Sequence, residues 1–238
     1  MSKKRKALRQ KTLREQQLEL LEKPQHRPRK RVKPLEAKTE TQGLYISTIL
    51  HHDITFGVGP AGTGKTYVAA TLACEMLDAG EIDCIVLTRP AVDTEKFGAL
   101  PGELEDKYAP YIEPFKDVFK ERYSDGKLEY LIKSGKIKAE PLAFMRGKTF
   151  KRSWVLLDEA QNTTPTQMKM SLTRLGEGSK MIISGDIAQN DLPNHIKSGL
   201  NDAVERLRPV QEVGVVEFSK GEVVRHGLIS KILECYGE

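Results

Sequence analysis

Gly59, Pro60, Ala61, Gly62, Thr63, Gly64, Lys65 and Thr66 follow the spacing G-x-x-x-x-G-K-[ST], and each fixed position answers a demand of triphosphate chemistry. The glycines let backbone N–H groups turn toward phosphate oxygens with no Cβ in the way. A helix beginning at the end of the loop adds partial positive charge at the same point. Lys65 can reach the β- and γ-phosphates, and the Thr66 hydroxyl can sit on Mg²⁺. The competing reading is a chance glycine-rich turn. Context argues against it, because the strand-like run 54–58 leads in and the helix-favouring run 66–79 leads out. The spacing predicts a nucleoside triphosphate site.

A second candidate lies at the end of an apolar run. Trp154, Val155, Leu156 and Leu157 are followed by Asp158 and Glu159. A buried strand that ends in two acids can present one to the Mg²⁺ shell, here Asp158, while Glu159 polarises the attacking water. One hard cation and one water need separate oxygen ligands. Ser184, Gly185, Asp186 and Gln189 form a third strand-end pattern whose polar groups can sense the terminal phosphate. Alone, it would read as an Asx-type turn.

These groups need a scaffold that brings strand ends together. Strand-like runs at 54–58, 84–88, 137–141, 154–158, 181–184 and 213–218 alternate with helix-like runs at 66–79, 164–175, 197–207 and 223–236. That alternation predicts an α/β fold, a mostly parallel sheet flanked by helices. The stretch 91–150, with Pro101, Pro110 and Pro114, exceeds the dozen or so residues that a parallel crossover needs. It reads as an insertion, helical in parts.

Composition bounds the remaining possibilities. The 238 residues, 39% of them apolar, allow one domain (39–238) plus an appendage (1–38). Residues 1–38 hold 14 Lys or Arg against four Glu, so the chain's net charge of +5 belongs to this tail. Leu8, Leu13, Leu18 and Leu21 can form a short helix there, with a proline-broken extended segment after it. Three readings of the tail stand: sequence-independent contact with nucleic-acid phosphates, a solvated solubility tail, or a nuclear-import signal. No apolar run nears the roughly 20 residues of a membrane span, and no secretory signal precedes the domain. Cys74, Cys84 and Cys235 have neither disulfide nor zinc spacing. A soluble, cytoplasmic protein is expected.

The motifs resemble those of the PhoH family, P-loop ATPases related to the core of superfamily-one helicases. The resemblance rests on the stretch Asp53 to Thr66, on Leu87 to Val92, on Pro141 to Gly147 and on Leu157 to Thr164. Gln167 to Met170, Gly185 and Asp186 with Gln189, and Val223 to His226 extend it across nearly the whole domain. It implies a single RecA-like P-loop NTPase domain that binds ATP with Mg²⁺ and hydrolyses it. By the same resemblance Gln42 contacts the adenine, Gln189 serves catalysis, and Arg225 reaches a γ-phosphate. Helicases of that superfamily clamp ATP between two such lobes, whereas about 200 residues suffice for one. A homo-oligomeric ring, most plausibly a hexamer with Arg225 acting across the interface, is therefore expected. Some family members carry a nuclease-like domain ahead of the ATPase; the basic tail does not match one.

Two function classes remain open on the residues alone. One is an ATPase coupled to movement on, or remodelling of, RNA or single-stranded DNA. The other is a nucleic-acid- or partner-binding switch in which ATP selects a conformation. Arg89, Arg146, Lys148 and Lys151 are the candidate backbone-phosphate contacts, each also readable as an ordinary solvated cation. No guanine-specifying Asn/Thr-Lys-x-Asp motif appears, which disfavours a GTPase. A small-molecule kinase is the enzyme runner-up, and the acid pair does not serve that chemistry.

Overall fold

Six parallel strands in the order β3-β2-β4-β5-β1-β6 form one sheet in a computed structural model of the chain. The structure describes residues 34–90, 104–193, 195–223 and 235. In chain order, α1 (Glu40–His51) precedes β1 (Ile54–Val58), then come α2 (Lys65–Ala79) and β2 (Cys84–Thr88). The insertion supplies α3 (Leu104–Arg122), α4 (Asp125–Lys133) and β3 (Ile137–Ala139). A short 3₁₀ turn, Leu142–Met145, leads to β4 (Ser153–Leu157), and a second, Ala160–Asn162, to α5 (Pro165–Leu172). β5 (Lys180–Gly185), α6 (Gly199–Leu207) and β6 (Val213–Glu217) complete the fold.

The strands are buried on both faces, as an all-parallel sheet requires. Alternate side chains divide between two cores. Ile85, Leu87, Trp154 and Leu156 pack with α1, α2, α3 and α4 on one side. Val86, Val155, Leu157 and Met181 pack with Met168 of α5 and Leu200 of α6 on the other. The expected strands and helices recur within a few residues. The helix expected at 223–236 and the whole basic tail lie outside the described residues, apart from 34–38, Val223 and Cys235.

Local chemistry explains the element ends. Thr164 caps α5 in a reciprocal box with Gln167, and Pro165 takes the first helical position. The C-cap of α2 is Gly80, left-handed at φ 76°. α1, unforeseen as a helix, is capped by the Thr39 hydroxyl, which accepts from the Gln42 N–H at 3.1 Å. Its Tyr45 ring sits edge-on to Phe218, with centroids 5.4 Å apart, beneath the loop that follows β1.

The strand order sets where ligands gather. From β1 the chain crosses past β5 and β4 to reach β2, so the carboxyl ends of β1, β4 and β5 border one crevice. Crevices of this kind carry the ligands of open α/β sheets. Among the described residues no helix is long and apolar enough to cross a membrane.

Candidate nucleotide site

The loop from Gly59 to Gly64 has the backbone that its glycines permit. Gly59 stands at φ 145° and Gly64 at φ 86°, conformations that cost an L side chain strain. Space is denied as well: a Cβ on Gly59 would collide with the Phe218 carbonyl, and one on Gly64 would meet Gln42 Nε2 at 2.7 Å. The loop is pinned to the sheet where the Gly59 N–H donates to Gly185 O at 3.1 Å. α2 begins immediately behind it, at Lys65.

Lys65 Nζ donates to the carbonyls of Gly59 and Pro60, both at 2.7 Å, and to Thr63 Oγ1 at 3.2 Å. Burial pulls the Lys65 pKa below the ordinary lysine value, and the carboxylates of Asp186, Asp158 and Glu159 oppose that shift. One mostly buried cation thus faces three acids. Thr66 Oγ1 donates to Asp158 Oδ1 at 3.2 Å, joining the first turn of α2 to the end of β4. Burial raises the Asp158 pKa to about 6, with the Glu159 charge adding to it; the Glu159 N–H, Thr66 and Lys65 pull the other way.

Glu159 occupies the left-handed region at φ 53°, uncommon for a residue with a side chain. The turn is closed by the Asn162 N–H, which donates to Glu159 O at 3.0 Å. Gln161 Nε2 donates to Glu159 Oε2 at 2.5 Å, while Gln161 Oε1 accepts from the Asp186 N–H at 3.0 Å. A single buried carboxamide therefore ties the acid pair to the segment after β5.

Lys65, Thr66, Asp158, Glu159, Asp186 and Gln189 all line one cleft of about 350 Å³, within the usual range for small-molecule sites. Its outer wall is Tyr67 with Pro114, Asp117 and Val118 of α3. The insertion thus contributes directly to the cleft. Sequence reasoning missed Gln161 and this α3 wall as site components. Gln161 lay within a quoted motif, whereas nothing in the pattern around Asp117 marks it.

The donor set fits a Mg²⁺-bound triphosphate. A hydroxyl and a carboxylate offer hard oxygens at the mouth of a phosphate-sized loop, and Mg²⁺ is usually held by one or two carboxylates plus substrate phosphates. Among the described residues, no cluster of three or more His, Cys, Asp or Glu side chains forms a separate metal site.

The remaining candidates are distributed differently. Gln42 is buried against the loop, its Nε2 donating to Thr63 O at 2.9 Å and its Oε1 accepting from the Lys38 N–H at 2.8 Å. Arg89 follows β2 at the carboxyl edge, with its guanidinium 5.6 Å from the Tyr111 ring centroid. Arg146 and Lys148 are exposed, and Lys148 pairs with Glu140 at 2.6 Å. Lys151 lies two residues before β4, at the opposite, amino edge of the sheet. The expectation that carboxyl-edge loops carry ligands thus covers Arg89 and not Lys151. Arg225 lies outside the described residues.

Comparison with known proteins gives a consistent picture. The family model described as PhoH-like protein matches residues 34–237. A PhoH-like protein of Synechocystis is 50% identical over 203 residues, covering 85% of this chain and 62% of that protein. A PhoH-like protein of Bacillus subtilis is 48% identical over 205 residues, with 86% and 64% covered. Protein PhoH of Escherichia coli is 43% identical over 206 residues, with 85% and 58% covered. The chain thus spans about three fifths of the length of these relatives. Among solved structures, the large terminase of a thermophilic bacteriophage aligns with a TM-score of 0.53 at 13% identity, covering 85% of this chain and 50% of that one.

Proposed function

The chain belongs to the PhoH-like protein family, and from that premise we propose that it binds ATP with Mg²⁺ in the cleft and hydrolyses the β–γ phosphoanhydride. The single observation that carries the reading is the convergence of Lys65, Thr66, Asp158, Glu159 and Gln189 on one cleft from separate segments of the chain. The loop amides and Lys65 hold the triphosphate. Thr66 and Asp158 would hold the cation, whose charge would offset that building on the β-phosphate of the leaving ADP. Glu159 takes the proton of the attacking water as its oxygen bonds to the terminal phosphorus and the bond from that phosphorus to the β–γ bridging oxygen breaks, giving ADP and phosphate. Gln189 faces the terminal phosphate, and Gln42 supports the loop from beneath while contacting the adenine. A catalytic guanidinium comes from Arg225 of a neighbouring copy in a homo-oligomeric ring.

The work coupled to turnover is binding or remodelling of RNA or single-stranded DNA. The basic tail and Arg89 support this, since a run of cations ahead of the domain and a cation at a strand end suit backbone phosphates. The reducing, cytoplasmic setting follows from cysteines without disulfide spacing. The deciding experiment is ATP turnover by the full chain with and without single-stranded RNA or DNA. Basal hydrolysis that nucleic acid stimulates supports the whole reading. ATP binding without turnover, alongside nucleic-acid affinity that changes with nucleotide, would replace it with a switch that has no motor activity.

A further inference from the structure

Consecutive residues after the acid pair hold the two ends of the loop that carries Gln189. Gln161 takes the first end, through the Asp186 N–H. Asn162, 8% exposed, takes the far end. Its Oδ1 accepts from the Asp191 N–H at 2.9 Å, and its Nδ2 donates to Asp191 Oδ2 at 3.0 Å. Within the loop, the Ala188 N–H donates to Asp186 Oδ1 at 3.0 Å and the Gln189 N–H to Asp186 O at 3.1 Å. Asn162 is fixed at its other side as well, its own N–H donating to Glu159 O. Between Glu159 and Gln189 there is thus a bonded path with two reciprocal bonds at its centre.

The geometry points to Asn162 as a positioning residue of the ATPase site. Through Asp191 it holds the Gln189 loop against the Glu159 turn, so the group facing the terminal phosphate and the group activating water keep one fixed spacing. Without this tie, the side-chain link from the acid pair to the start of the Gln189 loop is the one through Gln161, beside the pairing of β4 with β5. The assignment rests on the reading of Glu159 and Gln189 given under the proposed function. It adds a residue that touches neither substrate nor cation.

Donor and acceptor can be exchanged across the pair. Asn162→Asp replaces the donating amide with a second carboxylate against Asp191, which breaks one bond and adds repulsion. Adding Asp191→Asn restores a donor opposite an acceptor and rebuilds both bonds. With the full-length protein, Asn162→Asp is expected to lower kcat about tenfold or more while ATP affinity stays within about threefold. Amide hydrogen exchange across residues 187–190 should quicken by a similar factor. The double variant should return both readouts to within about threefold of the native protein. Asn162→Asp combined with Gln189→Ala should cost no more than Gln189→Ala alone, because both act through one group. Should the aspartate variant fail to fold, Asn162→Ala removes both bonds without the added charge, and exchange at 187–190 reads the same loss. Native exchange and turnover in the single variants would overturn the assignment. So would failure of the double variant to restore either readout, or independent, multiplying losses with Gln189→Ala. If the native protein hydrolyses no ATP, the proposed function fails, and the exchange measurements still decide whether Asn162 holds the loop.

Discussion

The Thr66 hydroxyl donates to Asp158 Oδ1 at 3.2 Å, a bond between residues 92 positions apart that ties the first turn of α2 to the end of β4. Asp158 is also heavily burdened by burial there, its pKa rising from 3.8 to about 6. A raised carboxyl pKa means that the folded chain binds more protons than the unfolded one between about pH 4 and 6. This group therefore favours folding at pH values below 4, and the contribution is lost as pH rises through 6. Asp158→Asn should stabilise the fold at pH 7.5 in EDTA by up to about 3 kcal/mol, seen as a higher melting temperature. The difference should vanish near pH 4. The same change should weaken Mg²⁺-dependent nucleotide binding, since the amide is a poorer cation ligand. A lower melting temperature for the variant in EDTA at pH 7.5 would show that the buried charge is no burden.

Lys65 and Glu159 should separate binding from chemistry. Lys65→Ala should remove most ATP affinity by calorimetry, because no other ammonium lines the loop side of the cleft among the described residues. Glu159→Gln should leave ATP bound and reduce turnover by roughly two or more orders of magnitude, the scale of a lost general base. Equal, mild losses of kcat from Glu159→Gln and Asp158→Asn would mean that water activation and cation binding are wrongly divided between them.

Two glycines should respond to alanine with opposite signs. Gly59→Ala forces a side chain into φ 145° and against the Phe218 carbonyl, which should cost about 2 kcal/mol or more and weaken nucleotide binding. Gly43→Ala adds a methyl group inside α1 where the nearest atom, Ala37 Cβ, is 3.8 Å away. Helix propensity then favours alanine by up to about 1 kcal/mol. Chemical denaturation of the two variants checks both signs in one experiment.

The strands were legible because each is a short apolar run, and the nucleotide motifs lie on strand ends that a parallel sheet brings to one edge. α1 was not, because Gly43 lies in its interior and its buried face mixes polar Gln42 and Thr48 with Tyr45 and Ile49, although Thr39 and Gln42 have the spacing of a capping box. α3 was hidden as a cleft wall for a different reason. Pro114, Asp117 and Val118 meet the nucleotide loop only because α3 packs on α2, fastened by Tyr67 Oη donating to Glu121 at 3.0 Å and by the Arg122–Glu75 ion pair. Long-range packing of this kind leaves no local pattern. Lys151 shows the converse. Its charge suggested a backbone-phosphate contact on a carboxyl-edge loop, but Asp83 and Arg152, which join β2 to β4 beside it, put it at the amino edge.

The basic tail should act on nucleic acid and not on nucleotide. Thirteen of its 14 cations lie in residues 1–33, and deleting those residues, which spares the Lys38 N–H bonded to Gln42, should weaken RNA or single-stranded DNA binding and flatten its dependence on salt concentration, as lost counterion release requires. Basal ATP turnover should stay near that of the intact chain. An unchanged salt slope in fluorescence anisotropy would assign the tail to solubility.

Assembly can be tested through complementation. A guanidinium that stabilises charge on a departing phosphoryl group is worth roughly 10³–10⁵ in rate. If Arg225 provides it across a head-to-tail interface, each site is built from two chains, and interfaces of that type close into rings when the rotation permits. Arg225→Ala subunits and Glu159→Gln subunits should each be nearly inactive alone. Mixed, some interfaces pair an intact Glu159 with an intact Arg225, and turnover should recover to a measurable fraction of the native rate. Light scattering under the same conditions should show an oligomer, with a hexamer as the expected size. A monomer that turns over ATP at those concentrations would rule out the ring and confine Arg225 to its own chain.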